Sequence, residues 1–352
     1  MAIASVFAGP EIAVRAERVG DGPIITEGML PGELGASING PSLIRVPPWI
    51  AHPLGRYYLY FAHHAGKYLR LAYADEIAGP WKIYAGEVQP LSEQTAVAGH
   101  VASPEVIVDA STHQLFLFYH GNNLRKNDPT AAFDDDGGSG GNQITSVAVS
   151  SDGLHFQSRN VVVGPAYLRV FTHGGQWFAL SDSGWLRRAE QLGGPFRKVT
   201  KVIGDDITAA VDPARRGEPG APLADRRPKT GPDRYAIRHV GIDVMAERLV
   251  IYFSCVGHRP ERILCTSVDL TGAPETWRAK GVAEVLRPEK PWEGADRPLA
   301  YSKGGISRTH VNELRDPAVF REDGRAWLLY SVAGEHGLGL ARLDYGELAK
   351  MP

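Results

Sequence analysis

The chain of 352 residues holds only two cysteines, Cys255 and Cys265, and no Cys or His cluster with metal-ligand spacing. That scarcity excludes a disulfide-stapled scaffold and a structural zinc module. Charge is equally balanced, with 38 Lys and Arg against 40 Asp and Glu and a formal net charge of -2. Without a basic field a phosphate backbone finds no electrostatic footprint, so nucleic acid is excluded as a partner. No run approaches the roughly 18 apolar residues of a membrane-spanning helix. The N-terminal MAIASVFAGPEIAVRAERVG lacks a basic region followed by an apolar run long enough for export, which predicts a cytoplasmic chain. A mature protein stripped of its signal would read the same way. Cys255 and Cys265 fall on one hairpin about equidistant from Pro260, where antiparallel strands could set them opposite each other. Reduced core thiols are the favoured reading, and a cross-strand disulfide the alternative.

What the chain has in quantity is glycine (40) and proline (25), spread throughout, which suits short strands joined by tight turns rather than long helices. A unit recurs: a polar group at the mouth of an apolar run, a turn, then an aromatic-rich strand. It appears as Asn39-Gly40-Pro41-Ser42-Leu43-Ile44 before GRYYLYFAHH and as Ser103-Pro104-Glu105-Val106-Ile107 before HQLFLFYHG. It returns as Tyr167-Leu168-Arg169-Val170 before GQWFALSDSG, Arg238-His239-Val240-Gly241-Ile242 before RLVIYFSCVG, and Arg315-Asp316-Pro317-Ala318-Val319 before GRAWLLYSVAG. Counted from Asn39, Ser103, Tyr167, His239 and Asp316, the spacings are 64, 64, 72 and 77 residues. A period sustained over the whole chain is the mark of a repeat architecture.

Four strands per unit predict an all-β, five-bladed β-propeller of four-stranded antiparallel blades, forming one domain over residues 1–352. The blades are expected at about 39–90, 100–163, 165–202, 236–287 and 314–346. The last lacks a fourth strand, and residues 11–18 have the alternation to supply it and close the ring. Two stretches break the rhythm: an acidic, glycine-rich insertion at 127–142 and a Pro/Arg-rich one at 211–234. Asp134-Asp135-Asp136 in the first lacks the alternating oxygen ligands of an EF-hand loop and is read as solvated.

In a propeller the innermost strands line the central channel, so residues at their starts converge on one mouth. The converging set is Asn39, Glu105, Arg169, His239, Arg315 and Asp316, with His63, His64, His100, His120, Asp182 and His310 on flanking strand ends or loops. Of the adjacent histidines, His64 is preferred over His63 because it shares the parity of Tyr58 and Tyr60. Mid-strand aromatics should fill the spaces between blades, leaving the loop residues Trp49, Trp185 and Trp292 as candidate stacking platforms at the cavity rim.

The segments Asn39-Gly40-Pro41-Ser42-Leu43-Ile44-Arg45 before GRYYLYF and Leu314-Arg315-Asp316-Pro317-Ala318-Val319-Phe320 resemble those of the five-bladed propeller glycoside hydrolases. These are the arabinanase and xylosidase type, family 43-like and related to invertases. The resemblance covers the chain at the level of blades and implies a small carbohydrate substrate. It also sets out departures. Where that family opens the first blade with an Asp, this chain has Asn39, which cannot ionise. Its late-blade Glu has no counterpart, since blade four opens with Arg238-His239, and the Arg-Asp-Pro segment lies in blade five instead of blade two.

Hydrolysis of a terminal sugar needs an acid for the leaving oxygen and a second carboxylate. Glu105 and Asp316 are the acidic residues opening inner strands, so Glu105 is assigned as acid and Asp316 as base, with His239 as an alternative acid. Asn39, His64, His100, Arg169, Asp182 and Arg315 are the substrate-binding set. No cofactor is required, though a structural calcium ion in the channel is compatible with this reading. Two alternatives stand beside it. One is a carbohydrate-binding propeller without turnover, motivated by Asn39. The other is a lyase on an acidic sugar, with His239 as base and Arg169 and Arg315 holding a carboxylate.

Overall fold

A computed structural model describes residues 13–128, 133, 142–204, 207 and 236–346. Most of the two insertions, with Asp134, Asp135 and Asp136, falls outside the described residues. Two short strands, β1 (Arg15–Arg18) and β2 (Ile25–Thr26), precede five antiparallel sheets. Blade I is β3 (Asn39–Arg45), β4 (Tyr57–Ala62), β5 (Arg70–Ala74) and β6 (Lys82–Ile83). Blade II is β7 (Val97–Asp109), β8 (Gln114–Asn123), β9 (Gln143–Ser150) and β10 (Gln157–Ser158), with β11 (Gly164–Pro165) also on β9. Blade III is β12 (Arg169–His173), β13 (Gln176–Leu180), β14 (Trp185–Ala189) and β15 (Arg197–Lys201). Blade IV is β16 (Ala236–Met245), β17 (Arg248–Val256), β18 (Ile263–Asp269) and β19 (Ala279–Leu286). Blade V is β20 (Arg315–Glu322), β21 (Arg325–Ser331) and β22 (Gly337–Asp344), completed by β1. The protein is an all-β five-bladed propeller.

The ring closes as the alternation of the N-terminal segment required. β1 pairs antiparallel with β22, Arg15 opposite Asp344 and Arg18 opposite Ala341, while residues 11 and 12 lie outside the described part. Pairing of this kind covers an edge that would otherwise offer free backbone groups to another chain.

Strand periodicity explains how one sheet serves two neighbours, because successive side chains leave opposite faces. On β4, Tyr58 and Tyr60 pack with Leu115, Leu117 and Tyr119 of blade II, while Tyr57, Leu59 and Phe61 pack with Leu329 and Leu340 of blade V. β17 repeats the pattern, with Leu249, Ile251, Phe253 and Cys255 toward blade III and Val250 and Tyr252 toward blade V. The mid-strand aromatics thus fill the inter-blade spaces. The same alternation disposes of the cross-strand disulfide: Cys255 belongs to the blade III side and Cys265, opposite Tyr252, to the blade V side. Both are buried free thiols.

Candidate active site at the channel mouth

The inner strands β3, β7, β16 and β20 share one irregularity, near the start of three of them and midway along β7. In each, two residues stand opposite one on the neighbouring strand: Gly40-Pro41, Ser103-Pro104, Arg238-His239 and Asp316-Pro317. A bulge of this kind re-aims the side chains it carries. Three of the leading residues have left-handed backbone, with φ of 57° at Gly40, 45° at Ser103 and 51° at Asp316. The ladder therefore corrects the count of the repeat. Gly40, rather than Asn39, lies level with Ser103 and Asp316, while Asn39 lies level with Arg315.

The bulges bring residues of blades II, IV and V into line. Asp316 Oδ1 is hydrogen-bonded to His239 Nδ1, and Ser331 Oγ donates to Asp316 Oδ2 at 3.1 Å. His239 Nε2 lies 3.3 Å from Ser103 Oγ. Asp316 and His239 are buried, whereas Ser103 is partly exposed. Burial tends to raise the Asp316 carboxyl, but His239 beside it, then Arg238 and Arg315, outweigh burial and hold it well below the usual carboxylate range. It is ionised at any working pH.

Around this line lies a closed set of charges. Arg315 donates from Nε to Glu313 Oε2 at 2.7 Å and from Nη1 to Glu335 Oε1 at 2.9 Å. Glu335 also accepts from Ser37 Oγ at 2.9 Å and from Asn39 Nδ2 at 3.1 Å, and it meets His64 Nδ1 at 3.3 Å. Burial works to raise Glu335, yet His64 and then Arg315 bring it below the ordinary value. Asn39 is a buried structural partner of this carboxylate. His63 Nδ1 accepts from the Ala65 N–H at 3.0 Å, whereas His64 is the one that meets Glu335.

A row of rings borders the same region: His100 to His120 at 5.2 Å, His120 to Tyr167 at 4.3 Å, and Tyr167 to His239 at 4.2 Å. Burial, then the neighbouring His64 and Lys67, push His100 down to about 4, and burial takes His120 well down as well. Both imidazoles are neutral. Tyr167 moves the other way, raised by burial and then by Asp182 and Asp316, and stays a hydroxyl donor. Asp182 is buried at the end of blade III's second strand.

Glu105 does not join Asp316. It points further along the channel into a cavity of about 280 Å³ lined from all five inner strands, with Ser42, Arg169, Asp243 and Arg321 among its walls. Its Oε2 lies 2.5 Å from Arg169 Nη1, and Arg169 Nε donates to Val240 O at 2.9 Å. Burial raises the Glu105 carboxyl, and Arg169 only partly offsets this. Both arginines assigned to hold a substrate carboxylate are therefore committed to carboxylates of the fold. The tryptophans are elsewhere too. Trp49 stacks on His113 at 4.8 Å, Trp185 begins β14 under Lys198, and Trp292 packs between blades IV and V.

Among the described residues one group could hold a cation. Glu27 meets His336 Nδ1 at 2.7 Å and His310 Nε2 at 3.1 Å, with ligand atoms within 4.8 Å of one another. Sequence reasoning missed Ser103 as a site residue, together with Glu335 and Tyr167. The signal for Ser103 was the shared residue-Pro pair that opens three of the five blades.

The fold is a five-bladed propeller with an Asp316–His239–Ser103 line at the channel mouth. The protein is structurally similar to the GH43_1 enzyme from Xanthomonas citri complexed with xylose, with a TM-score of 0.53, 13% identity, and coverage of 92% of this chain and 88% of that one. It is likewise similar to CoXyl43, a GH43 β-xylosidase/α-arabinofuranosidase from a compost microbial metagenome, with a TM-score of 0.54, 11% identity and 94% coverage of both chains. At such identities the likeness shows a shared fold. No family model matches the chain. An uncharacterised protein of Acanthamoeba polyphaga mimivirus is 31% identical over 329 residues, 87% of this chain and 83% of that protein, and the chain belongs to the same family.

Proposed function

We propose that the protein is a carbohydrate-active hydrolase working at the channel mouth, with His239 as the group that carries the proton. The observation that carries this reading is the orientation of His239, whose Nδ1 is held by Asp316 while Nε2 faces the partly exposed Ser103. A general acid or base needs one nitrogen fixed and the other presented to the reacting group. In the finer reading the substrate is a small oligosaccharide or glycoconjugate losing a terminal sugar. His239 gives its proton to the leaving glycosidic oxygen, and the ionised Asp316 and Glu335 supply the negative field that an oxocarbenium-like transition state needs. The neutral rings of His100, His120 and Tyr167 suit the apolar face of a sugar. A fold shared with xylosidases supports a sugar as ligand. Glu105, paired with Arg169 in the channel, is not the acid in this reading.

Release of product from a panel of aryl glycosides and plant oligosaccharides tests it. His239→Gln should lower kcat by about 10²–10⁴-fold, the usual worth of a positioned acid or base. Loss on Glu105→Gln with His239→Gln active would restore the Glu105–Asp316 pair, and sugar binding without release would make the protein a carbohydrate-binding propeller.

A further inference from the structure

We propose that Ser103 is a nucleophile and that the mouth hydrolyses carboxylic esters, O-acylated carbohydrates being the class that fits. The inference rests on the reading of His239 as the proton carrier and adds a second bond type to it. Ser103 Oγ, His239 Nε2 and Nδ1, and Asp316 Oδ1 form the order of contacts that activates a serine, and such a constellation is recognised by geometry and roles, not by sequence position. The three residues come from blades II, IV and V, so no local turn or cap explains their meeting.

Three further observations belong to a nucleophile. Ser103 leads its bulge with a φ of 45°, the left-handed backbone that Gly40 and Asp316 adopt at the same place, and a bulge re-aims the side chain it carries. Its neighbour is Gly40, where a Cβ would sit 3.1 Å from Ser103 Cα and 3.3 Å from Ser103 Oγ, so the space around the hydroxyl is kept clear by the absence of a side chain. Ser103 is also the partly exposed member of the line, while its two partners are buried, as access by an outside carbonyl demands.

The chemistry balances with water as the only co-reactant. Ser103 Oγ attacks the ester carbonyl carbon as its proton passes to His239 Nε2. The tetrahedral adduct collapses, the carbon–alkoxy bond breaks, and His239 returns the proton to the departing sugar oxygen, leaving acyl-Ser103. Water then attacks the acyl carbon, giving one proton to His239. The carbon–Oγ bond breaks, His239 reprotonates Oγ, and the carboxylic acid leaves. Asp316 stays ionised throughout and fixes the imidazole.

The test uses the full chain and a fluorophosphonate, which forms a phosphorus–Oγ bond with an activated serine and releases fluoride. Intact mass should show one adduct, and peptide mapping of the wild type should place it on Ser103. His239→Gln should slow labelling about 100-fold or more, and Asp316→Asn should slow it measurably, in variants whose thermal melts remain cooperative. In parallel, 4-nitrophenyl acetate and O-acetylated monosaccharides should release acetate. No adduct, an adduct on another serine, or labelling indifferent to His239→Gln overturns the proposal. An unlabelled protein that still releases sugar from aryl glycosides would fail this inference alone. A labelled protein inert to every glycoside would fail the glycoside reading alone.

Discussion

Arg238 and Glu261 meet in a two-point ion pair, Nε to Oε1 at 2.8 Å and Nη2 to Oε2 at 2.9 Å, with the Glu261 side chain wholly shielded from solvent. Ser254 Oγ donates to the same carboxylate at 2.7 Å. The pair pins the bulge residue that immediately precedes His239. Removing one partner of such a pair strands the other charge in the interior. Glu261→Gln should cost about 3–5 kcal/mol in equilibrium urea unfolding. A loss below about 1 kcal/mol would show that water reaches Arg238.

The Asp316 carboxyl, lowered on folding from an ordinary value of 3.8, binds fewer protons folded than unfolded. Its contribution to stability is complete above 3.8 and is lost as pH falls through the folded value. Asp316→Asn has no such titration. The stability gap between wild type and variant should be constant near neutrality and close as pH drops below 3.8, measured by denaturant unfolding across a pH series. A gap that persists unchanged into acid would mean the carboxylate is not held ionised by His239 and the arginines.

The architecture was legible because it depends on periodicities that a chain must repeat in order to form blades. Tyr58 and Tyr60 against Tyr57 and Phe61 is a pattern of two, visible before any fold is known. The site was legible only in part. Asp316 and His239 were readable as strand openings, and they do meet. Glu105 was read as a strand opening too, but β7 begins at Val97, and Glu105 stands past the bulge residues Ser103 and Pro104 and looks along the channel. A one-residue offset created by a bulge has no signature in composition, and for the same reason the repeat was counted from Asn39 although Gly40 lies level with Ser103 and Asp316. Glu335 belongs to the turn after β21, and its tie to Arg315 depends on tertiary closure alone.

Gly40 combines a φ of 57° with a Cβ position 3.1 Å from Ser103 Cα. Alanine would pay for both the backbone conformation and the contact. Gly40→Ala should destabilise by about 1–2 kcal/mol, more than an ordinary surface glycine in an extended strand. It should also push Ser103 off His239, so that fluorophosphonate labelling slows while the fold persists. Unchanged labelling would show that the clearance around Ser103 has no bearing on its reactivity.

Glu105 titrates with the opposite sign to Asp316. Burial raises its folded carboxyl above the ordinary 4.5, so its contribution is fully present below 4.5 and declines as pH rises through the folded value. Glu105→Gln removes that decline. Whatever its offset from leaving Arg169 with an amide, the variant should gain on the wild type as pH rises through the carboxylate range. A difference that stays flat would mean Arg169 fully compensates the burial of Glu105.

Arg18 joins the closing strand to the segment that follows blade IV. Its guanidinium donates from Nε to Glu293 Oε1 and from Nη1 to Glu289 Oε2, both at 2.8 Å, and from Nη2 to Arg287 O at 2.7 Å. Glu293 is fully buried, and Arg18 is its cationic partner. Arg18→Met should therefore cost about 3 kcal/mol, the lower end for breaking a buried pair, because one side remains near solvent. Deleting residues 1–18 goes further and strips β1 from β22. The backbone groups from Ala341 to Asp344 would then be open to pairing with a second copy, so light scattering should rise with protein concentration. If the shortened chain stays monomeric and as stable as Arg18→Met, the ring is closed by inter-blade packing and not by the strand.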